Sequence, residues 1–183
     1  MVYVFLADGF EEIEALTVVD VLRRGEIDAE TVSIANSEVV VGAHGISVLA
    51  DRSISDVCNK VPDMIVLPGG MPGSNNLKEC ALVREMLCNV NRAGGYLAAI
   101  CAAPIVLGAC NLLEGKKAVC YPGFESELGA QIVDGKVVKD GNIITAKGPG
   151  CAIDFALTLV ERLKGWTVAY SIGEGMLHED NVK

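Results

Sequence analysis

Three kinds of residue in this chain could do chemistry together: a cysteine at the end of an apolar run, glutamates at the head of a helix, and paired glycines in a loop. The cysteine is Cys101, within GGYLAAICAAPIVLGA over residues 94–109. The run before it reads as a strand and the small residues after it as a helix. The thiol therefore falls on a strand-to-helix elbow, a layout that exposes one reactive side chain on a sharp turn, although the GxSxG form of that motif is absent. Ala99, Ala102 and Ala103 permit close approach, and Pro104 suits the first turn of a helix. A thiol beside a helix N-terminus is expected to feel the positive end of the dipole and nearby N–H groups, which favour thiolate. The competing reading is a packed cysteine acting as a small hydrophobe. The other six cysteines are read as packing residues, with Cys120 and Cys151 bordering loops.

The glutamates lie in DGFEEIEALTVVDVLRR, residues 8–24. At about 100° per residue, a helix places Glu14 between Val18 and Val21 with Phe10 close, Glu11 beside Val18 and Leu22, and Glu12 toward Arg23. A carboxyl held against apolar side chains has its ionised form disfavoured, so its pKa rises. Such a group can donate a hydrogen bond to a thiolate or exchange a proton with a substrate. The spacing does not choose between Glu11 and Glu14, and a solvated acidic first turn is the alternative for each. The loop LPGGMPGSNN, residues 67–76, follows a strand and leads into a helix. Its glycines let backbone N–H groups face a site, where they would steady an oxyanion or a phosphate; a simple tight turn is the alternative. It lacks the GK[ST] of a phosphate loop, and no GxGxxG occurs in the chain.

The elements that must position these residues alternate. MVYVFLA, AETVSIA, DMIVLPGG and GYLAAIC read as strands, with helices over residues 11–24, 80–92, 102–110 and 151–163. Continuous apolar strands separated by helices indicate a doubly wound, mostly parallel sheet covered on both faces, in one α/β domain over residues 1–183. SEVVVGAHGISVLADRSI reads as a hairpin turning at Gly42 to Gly45, and KVVKDGNIITA as another turning at Asp140-Gly141. Ligands of such sheets sit outside the carboxyl ends of the strands, where ADGFEE, LPGGMPGS, ICAAP and KGPG all fall.

Composition narrows the function classes. Half of the 183 residues are hydrophobic (51%), yet no apolar stretch reaches the roughly 20 residues of a membrane span. The apolar start carries no basic segment and is interrupted by DGFEEIE, so a cytoplasmic protein without a secretory signal is expected. The net charge of −9 disfavours nucleic acid and acidic membranes as partners. Seven cysteines without a CxxC pattern fit reduced thiols rather than a disulfide framework, and two histidines, His44 and His178, make a Cys/His zinc site an unpromising reading. The hydrophobicity points to a large core and a buried oligomeric surface.

Taken in order, FLADGFEEIEALTVVDVLRR, DMIVLPGGMPGSNNL, AAICAAPIVLGA and ITAKGPGCAIDFALTLVE resemble the ThiJ/PfpI superfamily, in its DJ-one branch, over nearly the whole chain. The resemblance implies a flavodoxin-like sandwich, a homodimer, and a site at the elbow. It carries the nucleophilic, oxidation-prone cysteine onto Cys101 and the protonated glutamate onto Glu14, deciding the choice that spacing leaves open. The site's backbone amides fall on Gly69, Gly70 and Ala102. Two departures stand out. Many members place a histidine where this chain has Tyr121, and the peptidase-like branch has one at Ala102, so a Cys–His dyad is missing at both positions and proteolysis is not expected. A relative's arginine falls about where His44 stands; His44 would line the entrance near Arg24, across a dimer interface, or serve only the hairpin. His178 is read as a surface residue.

The resemblance implies a cofactor-free, metal-free enzyme that converts methylglyoxal to lactate without glutathione, or removes early glycation adducts from proteins. Its substrate would be a small reactive aldehyde or a glycated group. The alternative is a redox-sensing or chaperone protein that uses oxidation of Cys101 to sulfinate. A small-molecule binding module is the third reading, and it predicts indifference to losing the thiol.

Overall fold

The apolar runs pair side by side, and the short polar junctions between them become loops at one edge of the sheet. The structure, a computed structural model, describes residues 1–178 apart from position 36. In chain order the elements are β1 (Val2–Leu6), α1 (Glu12–Arg24), β2 (Ala29–Ser33), β3 (Val39–Val41), β4 (Ser47–Leu49), β5 (Arg52–Ser53), α2 (Ile54–Val57), β6 (Met64–Leu67), α3 (Gly73–Glu79), α4 (Ala81–Arg92), β7 (Tyr96–Ile100), α5 (Pro104–Ala109), β8 (Lys117–Ala118), β9 (Gln131–Ile132), β10 (Val137–Asp140), β11 (Ile143–Ala146), α6 (Ala152–Lys164) and α7 (Trp166–Gly175).

Among the described residues, the main sheet has seven strands in the order β10-β11-β7-β6-β1-β2-β5. All neighbours are parallel except β10 on β11, the hairpin expected at Asp140-Gly141. Without the two edge strands the order is β2-β1-β6-β7-β11, the 2-1-3-4-5 arrangement of flavodoxin-like sheets. Its switch point lies between β1 and β6, where consecutive crossovers leave in opposite directions.

Alternation along the strands splits the core in two. Val2, Val4 and Leu6 join Val66, Ile100 and Ile144 beneath Val18, Leu22, Phe155 and Leu159 of α1 and α6. Tyr3, Phe5 and Ala7 join Ile65, Leu67 and Ala99 beneath Leu77, Leu87 and Val106 of α3, α4 and α5. Both faces are covered, so the strands read as unbroken apolar runs. Full burial of each large side chain contributes about 1.5–3 kcal/mol.

The first hairpin forms as expected, with Val40 opposite Val48, and stands apart from the main sheet. The helix expected over 102–110 is shorter. Cys101 at φ 63 and Asn111 at φ 55 bracket it, so the regular turns run only from Pro104 to Ala109. Helix α7 went unread because Thr, Val, Tyr, Ile and two glycines dilute its helical signal. Gly165, at φ 89, separates it from α6. The parallel β8–β9 pair, two residues per strand, was likewise too short to read.

Candidate active site

Strand β7 delivers Cys101 to the carboxyl edge of the sheet, and the chain then turns sharply. The cysteine backbone is left-handed, φ 63, a conformation that costs a side-chain-bearing residue about 1–3 kcal/mol and persists only where its surroundings impose it. Three hydrogen bonds do so. The Cys101 N–H donates to Ala146 O at 2.9 Å, the Tyr121 N–H donates to Cys101 O at 2.8 Å, and the Ala103 N–H closes the turn on Ile100 O at 3.0 Å. Ala102 and Ala103 are buried, as the tight approach requires, and Cys101 is half-buried.

Glu14 reaches this elbow from the first turn of α1 and is completely buried. The Gly69 N–H donates to its Oε2 at 2.7 Å, while Oε1 has no hydrogen-bond partner among the described residues. Burial pushes the Glu14 carboxyl up to about 7, against the hydrogen bond from Gly69 and the influence of the Cys101 thiol. Glu11 differs: it sits before α1 rather than in it, donates its N–H to Gly69 O at 2.9 Å, and is not the buried carboxyl. Of these two carboxyls, Glu14 is the one fully buried at the elbow.

The loop after β6 lies over both groups. A Cβ on Gly69 would stand 2.6 Å from Cys101 Cβ and 2.7 Å from Glu14 Oε2, so the cysteine side chain's root and the carboxyl both crowd this residue and only glycine fits. Gly70, at φ 87, turns the chain so that its N–H, like that of Ala102, faces the cysteine sulfur. The expectation for the three amides is corrected at one position. The Gly69 N–H is committed to Glu14, leaving Gly70 and Ala102 to face a reacting group.

Of the two expected causes of thiol activation, the N–H groups are present at the sulfur, and the helix dipole is corrected along with the net direction of the shift. Helix α5 has six residues and begins three positions beyond Cys101, too short and too far to act as a dipole. Burial, then the charge of Glu14, pushes the Cys101 thiol up to about 12, opposed by the N–H groups of Ala102 and Gly70. Thiol and carboxyl are one coupled pair. With Glu14 ionised the sulfur keeps its proton; with the proton on Glu14, the same N–H groups are left to hold a thiolate.

The expected periphery is rearranged. Glu12 does not reach Arg23; it is buried and binds the hairpin, accepting the His44 N–H on Oε1 at 2.7 Å, with His44 Nδ1 2.8 Å from Oε2. Burial alone would raise the Glu12 pKa, but the bonds from His44 and the backbone hold it below the ordinary value, and Glu12 in turn raises His44. Arg23 pairs instead with Asp51 at 2.7 Å. Arg24 pairs with Asp20 at 2.7 Å, at the far end of a helix roughly 20 Å long, so His44 and Arg24 do not meet within one chain. Tyr121 is tied to Cys101 through its backbone, with its ring over Gly148. His178 is half-buried rather than a surface residue, its Nε2 3.0 Å from Asp154 Oδ1. Glu11, Glu12 and His44 bring potential metal-ligating atoms within 4.8 Å, but both oxygens of Glu12 are already engaged by the hairpin.

The anchoring of the hairpin escaped the sequence reading. The Gly9 N–H donates to Val41 O at 2.7 Å, the Ala43 N–H to Phe10 O at 2.8 Å, and the Val41 N–H to Asp8 Oδ1 at 2.9 Å. The run of two glutamates followed, some thirty residues later, by Gly-Ala-His-Gly was its only trace.

Comparison with known proteins agrees with this architecture. A model of the DJ-1/PfpI family matches residues 1–162. Protein DJ-1 homolog B of Arabidopsis thaliana is 41% identical over 179 residues, covering 96% of this chain and 41% of that protein. The chain spans less than half the length of that relative and of its companion, DJ-1 homolog A. A Caenorhabditis elegans relative named glutathione-independent glyoxalase DJR-1.2 is 37% identical over 158 residues, 85% of this chain and 83% of its own. The solved structure of oxidized Toxoplasma gondii DJ-1 superposes with a TM-score of 0.95 at 39% identity, covering 97% and 98% of the two chains. The chain belongs to the DJ-1/PfpI family. Among the described residues, no helix is long and apolar enough to cross a membrane.

Proposed function

We propose that this member of the DJ-1/PfpI family is a cysteine-dependent enzyme acting on reactive carbonyls, converting a 2-oxoaldehyde such as methylglyoxal to the 2-hydroxy acid. The observation that carries the reading is the Glu14–Cys101 pair: a fully buried carboxyl with its pKa raised to about 7, which interacts with the thiol and lies with the cysteine Cβ against Gly69. The name of the Caenorhabditis elegans relative supports the same reaction class. As the sulfur attacks the aldehyde carbon, its proton passes to Glu14, and the N–H groups of Gly70 and Ala102 steady the hemithioacetal oxygen. Glu14 returns that proton to the hemithioacetal oxygen and, ionised again, takes the proton from the former aldehyde carbon and delivers it to the neighbouring carbonyl carbon, while the hydroxyl proton passes to the neighbouring oxygen; the first carbon is oxidised and the second reduced. Water cleaves the resulting thioester, giving lactate and the free thiol. A Schiff-base or hemithioacetal adduct on a protein side chain presents the same carbon to the same sulfur, so deglycation belongs to the same chemistry. The further partner we propose is a second copy of the chain: Ile13 and Leu16 of α1 and Val39, Val41, Ile46 and Leu49 of the hairpin region are exposed, an apolar surface suited to burial in a homodimer.

The test is lactate release from methylglyoxal by wild type, Cys101→Ala and Glu14→Gln. The expected result is turnover in wild type, abolished by Cys101→Ala and reduced roughly a hundredfold or more by Glu14→Gln. Absence of turnover in all three would overturn the reading. The same cradle favours a second one. A sulfinate on Cys101 would accept hydrogen bonds from Gly70 and Ala102 and from protonated Glu14, which suits peroxide sensing; the relative from Toxoplasma gondii was solved in an oxidized form. Single-site oxidation of Cys101 without aldehyde turnover would select that reading.

A further inference from the structure

The stretch between β1 and α1, Gly9 to Glu11, is held on two sides at once. On one side stands the first hairpin: the Gly9 N–H donates to Val41 O at 2.7 Å and the Ala43 N–H to Phe10 O at 2.8 Å. On the other stands the turn beside the cysteine: the Glu11 N–H donates to Gly69 O at 2.9 Å and the Gly73 N–H to Gly9 O at 3.3 Å. A Cβ on Gly70 would collide with Glu11 N and Gly9 O, so the two backbones meet with no side chain between them. Glu12, the first residue of α1 and buried, closes the hairpin side. Its Oε1 accepts the N–H groups of His44 at 2.7 Å and Ile46 at 3.4 Å, its Oε2 lies 2.8 Å from His44 Nδ1, and a Cβ on Gly42 would collide with the carboxyl. The hairpin turn closes without this help, through Gly42 N–H to Ile46 O at 2.9 Å and Gly45 N–H to Gly42 O at 3.1 Å. It shares no strand pairing with the main sheet among the described residues. The bonds to Glu12 therefore serve to seat the hairpin rather than to fold it, and bonds to a charged acceptor are the stronger kind.

We propose that Glu12 is a positioning residue for the chemistry at Cys101: by clamping the hairpin turn onto residues 9–12, it holds the Gly69–Gly70 turn where one N–H meets Glu14 and the other faces the sulfur. Glu12 reaches the reacting atoms only through this backbone. Without it, residues 9–11 keep their support from the Gly69–Gly73 loop but lose the full backing of the hairpin, and the two N–H groups are free to drift. Donors that drift by a fraction of an ångström stabilise developing charge less, while a small substrate is still admitted, so the loss falls on kcat rather than KM. The effect on turnover rests on the carbonyl reading proposed above. The effect on the thiol does not, because the Gly70 N–H that faces the sulfur supports a thiolate whether or not an aldehyde is present.

The experiment compares the full chain as wild type, Glu12→Ala, Glu12→Gln and Leu87→Ala, at a temperature where circular dichroism shows all four folded. Glutamine keeps a carbonyl oxygen for the His44 and Ile46 N–H groups. Leu87, wholly buried on the face of the sheet away from α1, supplies a loss of stability that leaves the clamp untouched. Two quantities are read: lactate release from methylglyoxal, and the rate at which iodoacetamide alkylates Cys101, followed by mass spectrometry of its peptide. In Glu12→Ala, kcat is expected to fall roughly ten- to a hundredfold with KM within about twofold, and alkylation to slow roughly tenfold. Glu12→Gln and Leu87→Ala are expected to stay within about threefold of wild type in both. A folded Glu12→Ala that alkylates as fast as wild type or faster would overturn the proposal. So would a Glu12→Gln no better than Glu12→Ala, or the same defect in Leu87→Ala. Slowed alkylation in Glu12→Ala, with no lactate from wild type, would sink the carbonyl reading and sustain the clamp.

Discussion

Replacing Glu14 by glutamine keeps the shape of the side chain and an oxygen to accept the Gly69 N–H, but removes the ionisation. In the folded chain burial raises this carboxyl from 4.5 to about 7, which corresponds to about 3 kcal/mol at about 1.4 kcal/mol per tenfold change in proton affinity. The folded state binds this proton more tightly than the unfolded state does. The stability that the protonated group confers is therefore fully present below about pH 4.5, is lost as pH rises toward 7, and is gone above it. Wild type and Glu14→Gln should run parallel in acid and diverge across that window, with wild type losing up to about 3 kcal/mol relative to the variant. Urea unfolding of both at several pH values reads this as a shift of about 1 M in the difference between their midpoints. Other titrating groups are common to the two proteins and cancel in the comparison. Because the Cys101 thiol lowers the Glu14 pKa, the same pair of curves in a Cys101→Ala background should diverge over a window that extends to higher pH. A difference that stays flat from about pH 4.5 to 8, or has the opposite slope, would refute the argument that Glu14 is desolvated.

Three further outcomes follow from the same geometry. The kcat/KM for an aldehyde should rise as pH passes through about 7, because the doubly protonated pair has no base to accept the thiol proton; a profile flat across this range would contradict it. Gly69→Ala should lose aldehyde turnover and about 1–3 kcal/mol of stability, since its Cβ overlaps Cys101 and Glu14; lactate assay and thermal unfolding check both. Glu12→Ala should cost about 2 kcal/mol by orphaning the N–H groups of His44 and Ile46, with hydrogen exchange rising first at residues 42–46, whereas His44→Ala should leave those amide bonds in place.

Much of the scaffold was legible because its strands are buried on both faces, which makes them unbroken apolar runs, and because Asp140-Gly141 and Gly42 to Gly45 mark turns locally. The elbow was legible for the same reason: the strand ends where apolar residues give way to alanines around one cysteine. Glu12 was not. Its spacing along α1 puts it toward Arg23, and nothing local says that a hairpin thirty residues later will return to bind it, with Asp51 taking Arg23 instead.

The protonation of the pair shows where sequence reasoning fails in a physically instructive way. Helix-terminus logic predicts a lowered thiol pKa, and it treats Cys101 as the titrating group. The fold reverses both points. Desolvation acts on carboxyl and thiol alike, but Glu14 starts from a far lower pKa, so it is the carboxyl that arrives near neutrality while the thiol is driven further from it. Below about pH 7 the elbow holds two protons, and above it one, on the sulfur beside an ionised Glu14. Such an arrangement suits chemistry in which the sulfur needs charge only at the moment of attack, with a neutral Glu14 then ready to give the proton to the hemithioacetal oxygen and become a base again. Left-handed Cys101 and a glycine at position 69 are the backbone conditions that keep the two groups pressed together, and both are properties of the folded site rather than of either residue alone.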